Sequence, residues 1–331
     1  MDQTSTLSAE SMAATLSDFI AQGVAALGGR TDTIDPGHRE AFHWPPHAIS
    51  HDFKIDSTAF LDRRDISIRG ENLRVHIAHT DHGVFGRIED LWNEARGESI
   101  EEVEEQLVAS AEPWFDRMDA ITKTLGRKER YHGTLNDLDP MELVKLLYCP
   151  DRDVAHHAMV EIEKHASTGL FLPSLVTILN DDQHPYRRIA QWCVLDMLED
   201  SSAFCKSPEE GDEAVGAVRN LIWRATDDYA RAVFKAGVVL GGHICTPKAG
   251  DVLVECFRAP HKIGRRSAYH AVFHYVEWVP ESRERIVSEL RSAAEVEQVA
   301  QLKEFALNMA NDIANEDADH IPEPVFPEEI K

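Results

Sequence analysis

The chain has 331 residues, 43% of them hydrophobic, which is enough for a packed core in two ordinary domains or one extended repeat array. Its formal net charge of −24 is spread over both halves and repels phosphate backbones, which argues against nucleic acid as a partner. No run of 18 apolar residues is present to span a membrane, and five cysteines without a C-x-x-C pair fit reduced thiols in a cytoplasm better than a disulfide framework.

Residues 8–27 read as a helix, with no basic segment ahead of them of the kind a secretory signal carries. A loop follows over 31–52, where Pro45-Pro46 breaks the helix that would align His38, His43, His47 and His51. The stretch "DISIRGENLRVHIAH" (65–79) alternates apolar and polar residues around Gly-Glu-Asn and predicts a β-hairpin. His76, His79 and His82 make the tightest histidine cluster and a candidate metal site, although a strand sends His76 and His79 to opposite faces. Residues 83–97 and 99–126 read as helices, the second opening with a Ser99…Glu102 capping box and divided at Pro113. Residues 1–139 are thus expected to form a helical or small α+β cap on the remainder of the chain.

From residue 140 the sequence repeats. "CPDRDVAHHAMVEIEKH", "NDDQHPYRRIAQWCVLDMLED", "ATDDYARAVFKAG" and "RAPHKIGRRSAYHAVFHYVEW" each place a polar turn before an amphipathic helix. Asp153, Arg188, Arg231 and Arg266 align after the turns. Five residues on come the small residues Ala158, Cys193, Ala236 and Ala271, and nine on the apolar Ile162, Met197, Leu240 and Tyr275. A degenerate fifth copy supplies Gln301, Ala306 and Ala310. A second apolar-periodic segment precedes each helix, and Pro140, Pro173, Pro247 and Pro280 stand at or near the starts of four of them. The one long step between copies is accounted for by an inserted loop at 200–213.

A Leu-rich first helix, an Asp-containing turn, an Arg, and small-then-apolar spacing on a second helix resemble the HEAT repeat. The closest form is the short bacterial type named after phycobilisome lyases. The resemblance covers residues 140–313 and implies a mainly α fold, a right-handed α-α superhelix of about five helical pairs, with 314–331 left as an acidic tail carrying Phe326. It implies a cytoplasmic, non-enzymatic scaffold that needs no cofactor and binds a protein or basic peptide on a concave face lined by second helices. The alternative it implies is an enzyme or chaperone acting on a cofactor or partner protein, hydroxylase-like with a metal or bilin-lyase-like. The hydroxylases of that superfamily use repeated His-Glu dipeptides, and this chain has none.

Four and eight residues beyond the aligned slot runs one stripe of second-helix positions. His157, Glu161, Trp192, Asp196, Lys235, His270 and His274 occupy it and form the expected partner-binding groove. His270 and His274, with Glu277 three residues further on, are a second candidate metal site on one helix face. His157/Glu161 lie three repeats away, roughly 30 Å at the usual packing distance of helices, so the two ends of the stripe cannot share an ion. Arg188, Arg231 and Arg266 are expected to pair with turn aspartates, tying one copy to the next. Gly241-Gly242 read as a helix end, with Cys245 beyond it as a candidate thiol.

Overall fold

A computed structural model of the chain describes residues 8–26, 62–80, 83–89, 91, 93–244 and 246–315. The histidine loop at 31–52, His82, Cys245 and Phe326 lie outside them. Two units divide the chain, one within residues 40–134 and the other formed by the N-terminal helix together with the residues from Leu135 onward.

In the smaller unit, strands β1 (Asp62–Ile68), β2 (Glu71–Thr80), β3 (Gly83–Ile88) and β4 (Glu94–Gly97) form an antiparallel sheet in sequence order. The β1–β2 loop is Arg69-Gly70, with φ of 49° and 83° and Ile68 opposite Glu71. Positive φ at both loop residues is the requirement of the two-residue turn that matches strand twist. The segment expected as a helix over 83–97 is instead β3, a turn and β4. Its glycines explain the difference: Gly83 takes φ +109°, and a Cβ on Gly86 would stand 2.4 Å from Val103 Cγ1. Gly86 therefore lets the sheet approach helix α2 (Ile100–Thr124) closely, where Ile77, Val84 and Ile88 bury against Val103, Leu107, Ala111 and Phe115. That partner lies outside the 83–97 window, so local periodicity does not reveal it.

α2 begins as expected, with Ser99 Oγ accepting the Glu102 N–H at 3.2 Å. The Glu102 carboxylate accepts from Glu98 rather than from Ser99. Pro113 does not divide the helix, which runs unbroken across it. Pro113 is exposed, as is Ala109, whose carbonyl loses its intrahelical donor, so water can satisfy that carbonyl.

Among its described residues, the regular elements of the larger unit are all helices. Its elements are α1 (Ala9–Ala26), α3 (Pro140–Leu146), α4 (Arg152–Glu163), α5 (Leu172–Asn180), α6 (Arg187–Met197), the one-turn α7 (Ser201–Phe204), α8 (Pro208–Trp223), α9 (Ala230–Val238), α10 (Pro247–Cys256), α11 (Lys262–Trp278), α12 (Arg283–Val296) and α13 (Ala300–Asn315). Prolines 140, 173, 208 and 247 sit in first turns, where the missing N–H leaves no bond unmade, and Pro280 opens the turn before α12. The 200–213 insert is largely helical: α7 occupies part of it, and α8 starts early because Ser207 caps the Glu210 N–H at 3.2 Å.

Consecutive helices pair as α3/α4, α5/α6, α8/α9, α10/α11 and α12/α13. The second members pack on one another in the order α4, α6, α9, α11, α13. Among the first members, α5, α8, α10 and α12 follow in order, while α1 packs against both α3 and α5. The aligned small residues Ala158, Cys193, Ala236, Ala271 and Ala306 are all buried, so the five-residue offset marks the face on which neighbouring helices meet.

Polar ties recur between copies. Arg188 reaches the next copy, donating to Asp228 Oδ2 at 2.7 Å and lying over the Tyr229 ring. Gln191 donates to Asp181 O at 2.7 Å and accepts from Tyr229 Oη at 2.6 Å. On the first helices, Asn220 bonds Asn180 at 2.9 Å and Arg219 pairs with Glu255. The Arg266 guanidinium lies over Phe234 at 4.3 Å and faces Phe305. Arg265, one residue earlier, takes the acid, gripping Glu297 with two bonds of 2.7 and 2.9 Å.

α1 is seated by an aromatic cluster. The Phe19 ring stacks on His184 with centroids 5.9 Å apart, and Tyr148 meets His184 edge-on at 4.5 Å. Gly23 gives His184 room, since a Cβ there would stand 2.4 Å from Nε2. His184 is 3% exposed, and its Nδ1 accepts the Tyr186 N–H at 3.1 Å, which fixes the neutral ring as the Nε2–H tautomer. Burial, with Arg187 adding to it against the opposing charge of Asp181, lowers its pKa to about 4. The unfolded chain therefore takes up this proton first as pH falls, so the stability is present above about 6.5 and is lost on approach to 4. From pH 7 to pH 5 the wild type should lose about 2 kcal/mol more than a His184→Gln variant in urea denaturation, and parallel losses would refute this role.

Candidate functional site

The stripe positions on the second helices are brought onto one layer, but they are not equally accessible. His157, Glu161, Trp192, Asp196, Lys235 and His274 are partly exposed, whereas His270 is 4% exposed. Burial removes His270 from any surface a partner touches, contrary to the expectation for it. Two rings cover it, with Phe234 at 4.8 Å and His274 at 5.1 Å between centroids.

Lys235 is the centre of the band. From α9 its ammonium reaches across to α6, where it pairs with Asp196, lies 2.6 Å from Glu199 Oε1 and stands 5.0 Å from the centre of the Trp192 ring. The side chains of Lys235 and Asp196 are 14% and 11% exposed, so each depends on a nearby counter-charge, which Asp196 and Glu199 supply to Lys235. Glu199 escapes the repeat alignment because it lies past the α6 helix end, yet its spacing of three from Asp196 puts both acids on one face. Its backbone carbonyl also bonds the His243 ring at 2.7 Å, and Ser201 Oγ bonds the His243 carbonyl at 2.6 Å. At the other end of the band, on α4, His157 Nε2 lies 3.8 Å from Glu161 Oε1, which Lys164 also approaches.

The described members of the two candidate metal trios do not converge. His274 turns Nε2 toward His270 at 3.2 Å and Nδ1 toward Glu277 at 3.5 Å, so Glu277 lies behind the ring and not beside the shared nitrogens. His76 bonds Glu89 at 3.1 Å from a half-buried position on β2, while His79 is exposed on the other face. Among the described residues, no group of three or more His, Cys, Asp or Glu side chains is arranged to hold a metal ion. Among the described cysteines, Cys205 and Cys256 are free, half-buried and buried respectively. Burial pushes the Cys205 thiol up to about 11, which makes it a poor nucleophile at neutral pH.

Gly241 and Gly242 do end a helix, by way of a π turn over Val239–His243. Gly241 has a second role that a helix end does not explain. A Cβ on Gly237 would stand 2.2 Å from Ser267 Oγ, and one on Gly241 would stand 2.1 Å from Ala271 O. The G-x-x-x-G spacing places both on the face where α9 crosses α11, and that spacing is the signal the sequence offers.

No described helix is long and apolar enough to cross a membrane. Comparison with known proteins finds no matching family model, no matching curated protein and no matching solved structure.

Proposed function

We propose that the larger unit is a HEAT-like α-solenoid that works as a non-enzymatic interaction scaffold. On this reading it binds a protein or basic peptide along its second helices, which form the concave face. One observation carries the reading: successive helices α4, α6, α9 and α11 each present a partly exposed polar or aromatic residue at one or both of the same two slots, His157 and Glu161, Trp192 and Asp196, Lys235, and His274. Such a band has the composition of a recognition surface, with an aromatic anchor at Trp192 set among compensated charges. The net charge of −24, and the acids Glu199 and Glu277 exposed at the edges of the band, favour a basic ligand.

The test is affinity capture with wild type and a His157→Gln/Glu161→Gln/Glu277→Gln variant, whose substituted side chains all reach solvent. A specific ligand should be retained by the wild type, elute as salt rises, and be lost by the variant at an unchanged melting temperature. A ligand held equally by both proteins places recognition elsewhere and overturns the assignment of the band.

A further inference from the structure

His270 and His274 are one helical turn apart on α11 and meet nitrogen to nitrogen, Nε2 to Nε2, at 3.2 Å. Zinc binds imidazole nitrogen at about 2.0–2.1 Å, so two such ligands at a tetrahedral angle stand about 3.3 Å apart. The pair already has that bite. Behind it, His274 Nδ1 lies 3.5 Å from Glu277 Oε2, the carboxylate position that orients a metal-bound histidine and raises its basicity. The His270 ring is held by Phe234 at 4.8 Å, while partial exposure of His274 leaves the remaining coordination positions to water.

We propose that His270 and His274 chelate a divalent transition metal of the nickel, copper or zinc class, with Glu277 as the outer-shell carboxylate. Two imidazoles select such ions over magnesium and calcium, which require oxygen donors. Two features weaken the site. The Arg266 charge is nearby, and metal binding through Nε2 places the remaining proton on Nδ1, which is buried without a hydrogen-bond partner. The expected Kd is therefore on the order of 10 μM and not nanomolar. The site is independent of whether the band binds a protein, because it requires only these three side chains.

Calorimetric titration of the intact protein with Ni2+ at pH 7 tests it. The wild type should show this site, His274→Gln should lose it, and Glu277→Gln should weaken it about tenfold. The absence of micromolar binding in the wild type, or an isotherm unchanged in His274→Gln, overturns the chelate. An unchanged isotherm in Glu277→Gln overturns the outer-shell role. Should His274→Gln fail to fold, modification of the wild type by diethyl pyrocarbonate decides the matter: Ni2+ should protect His274, and equal labelling with and without the ion refutes the site.

Discussion

Arg265→Ala should cost about 4 kcal/mol of unfolding free energy, because it strands a buried carboxylate. The Glu297 side chain is only 2% exposed, and both of its oxygens are committed. Oε1 accepts from Arg265 and from the Val299 amide, while Oε2 accepts from Arg265 and from Tyr269 at 3.2 Å. Burial alone would raise its pKa, but the Arg265 guanidinium, the Val299 amide and the Tyr269 hydroxyl outweigh burial and hold it below the ordinary 4.5. The pair's contribution is thus complete above that value and is lost as pH falls through the lowered one. Removing both charges is a different experiment, since it abolishes the desolvation cost together with the attraction. Arg265→Met/Glu297→Met should recover most of the loss and show a flatter stability profile below pH 5 than the wild type. If urea denaturation finds Arg265→Ala within 1 kcal/mol of wild type, Glu297 is not held as a charged group.

Where the sequence reading succeeds and where it fails depends on which atoms carry each signal. Helix positions in the larger unit were legible because the small-then-apolar offset is a local consequence of helical period, and Ala158, Cys193, Ala236 and Ala271 are indeed buried. The acid ladder was half legible. Arg188 fits it, and two copies further on the two-bond grip on an acid comes from Arg265, the neighbour of Arg266, whose guanidinium lies over Phe234. One residue turns a helix by about 100°, and an alignment that tolerates such a shift cannot choose between adjacent arginines. The β3–β4 hairpin was illegible because its decisive contact, Gly86 against Val103, joins residues whose packing is invisible in either segment alone. The same limit applies to the band: the types of its residues were readable, whereas the burial of His270 depends on Phe234 from the preceding copy.

The two glycines of α9 and its π turn give the clearest conflict between local preference and packing. Helix propensity favours alanine over glycine by about 1 kcal/mol, so propensity alone predicts that Gly241→Ala stabilises the fold. The crossing with α11 predicts a loss of about 3 kcal/mol instead, at the upper end of what overpacking costs. The obstructing atom at Gly241 is the Ala271 carbonyl oxygen, a backbone atom inside a helix that cannot rotate away. At Gly237 the nearest obstacle is the Ser267 hydroxyl at 2.2 Å, which can turn aside only by giving up its 2.7 Å bond to Val233 O, while the backbone oxygen of Ser267 stands farther off, at 2.9 Å. Gly237→Ala should therefore cost less than Gly241→Ala, though it should still destabilise. Gly216 supplies the control. It lies within α8 with nothing inside 4 Å of an added methyl, so Gly216→Ala should stabilise by up to about 1 kcal/mol. Urea midpoints at a common m value separate the accounts: opposite signs at 241 and 216 follow from the close crossing, and stabilisation at both leaves only propensity. A destabilised Gly241 variant should also loosen the contact that carries Phe234 onto His270, which links this crossing to the Ni2+ affinity of the histidine pair.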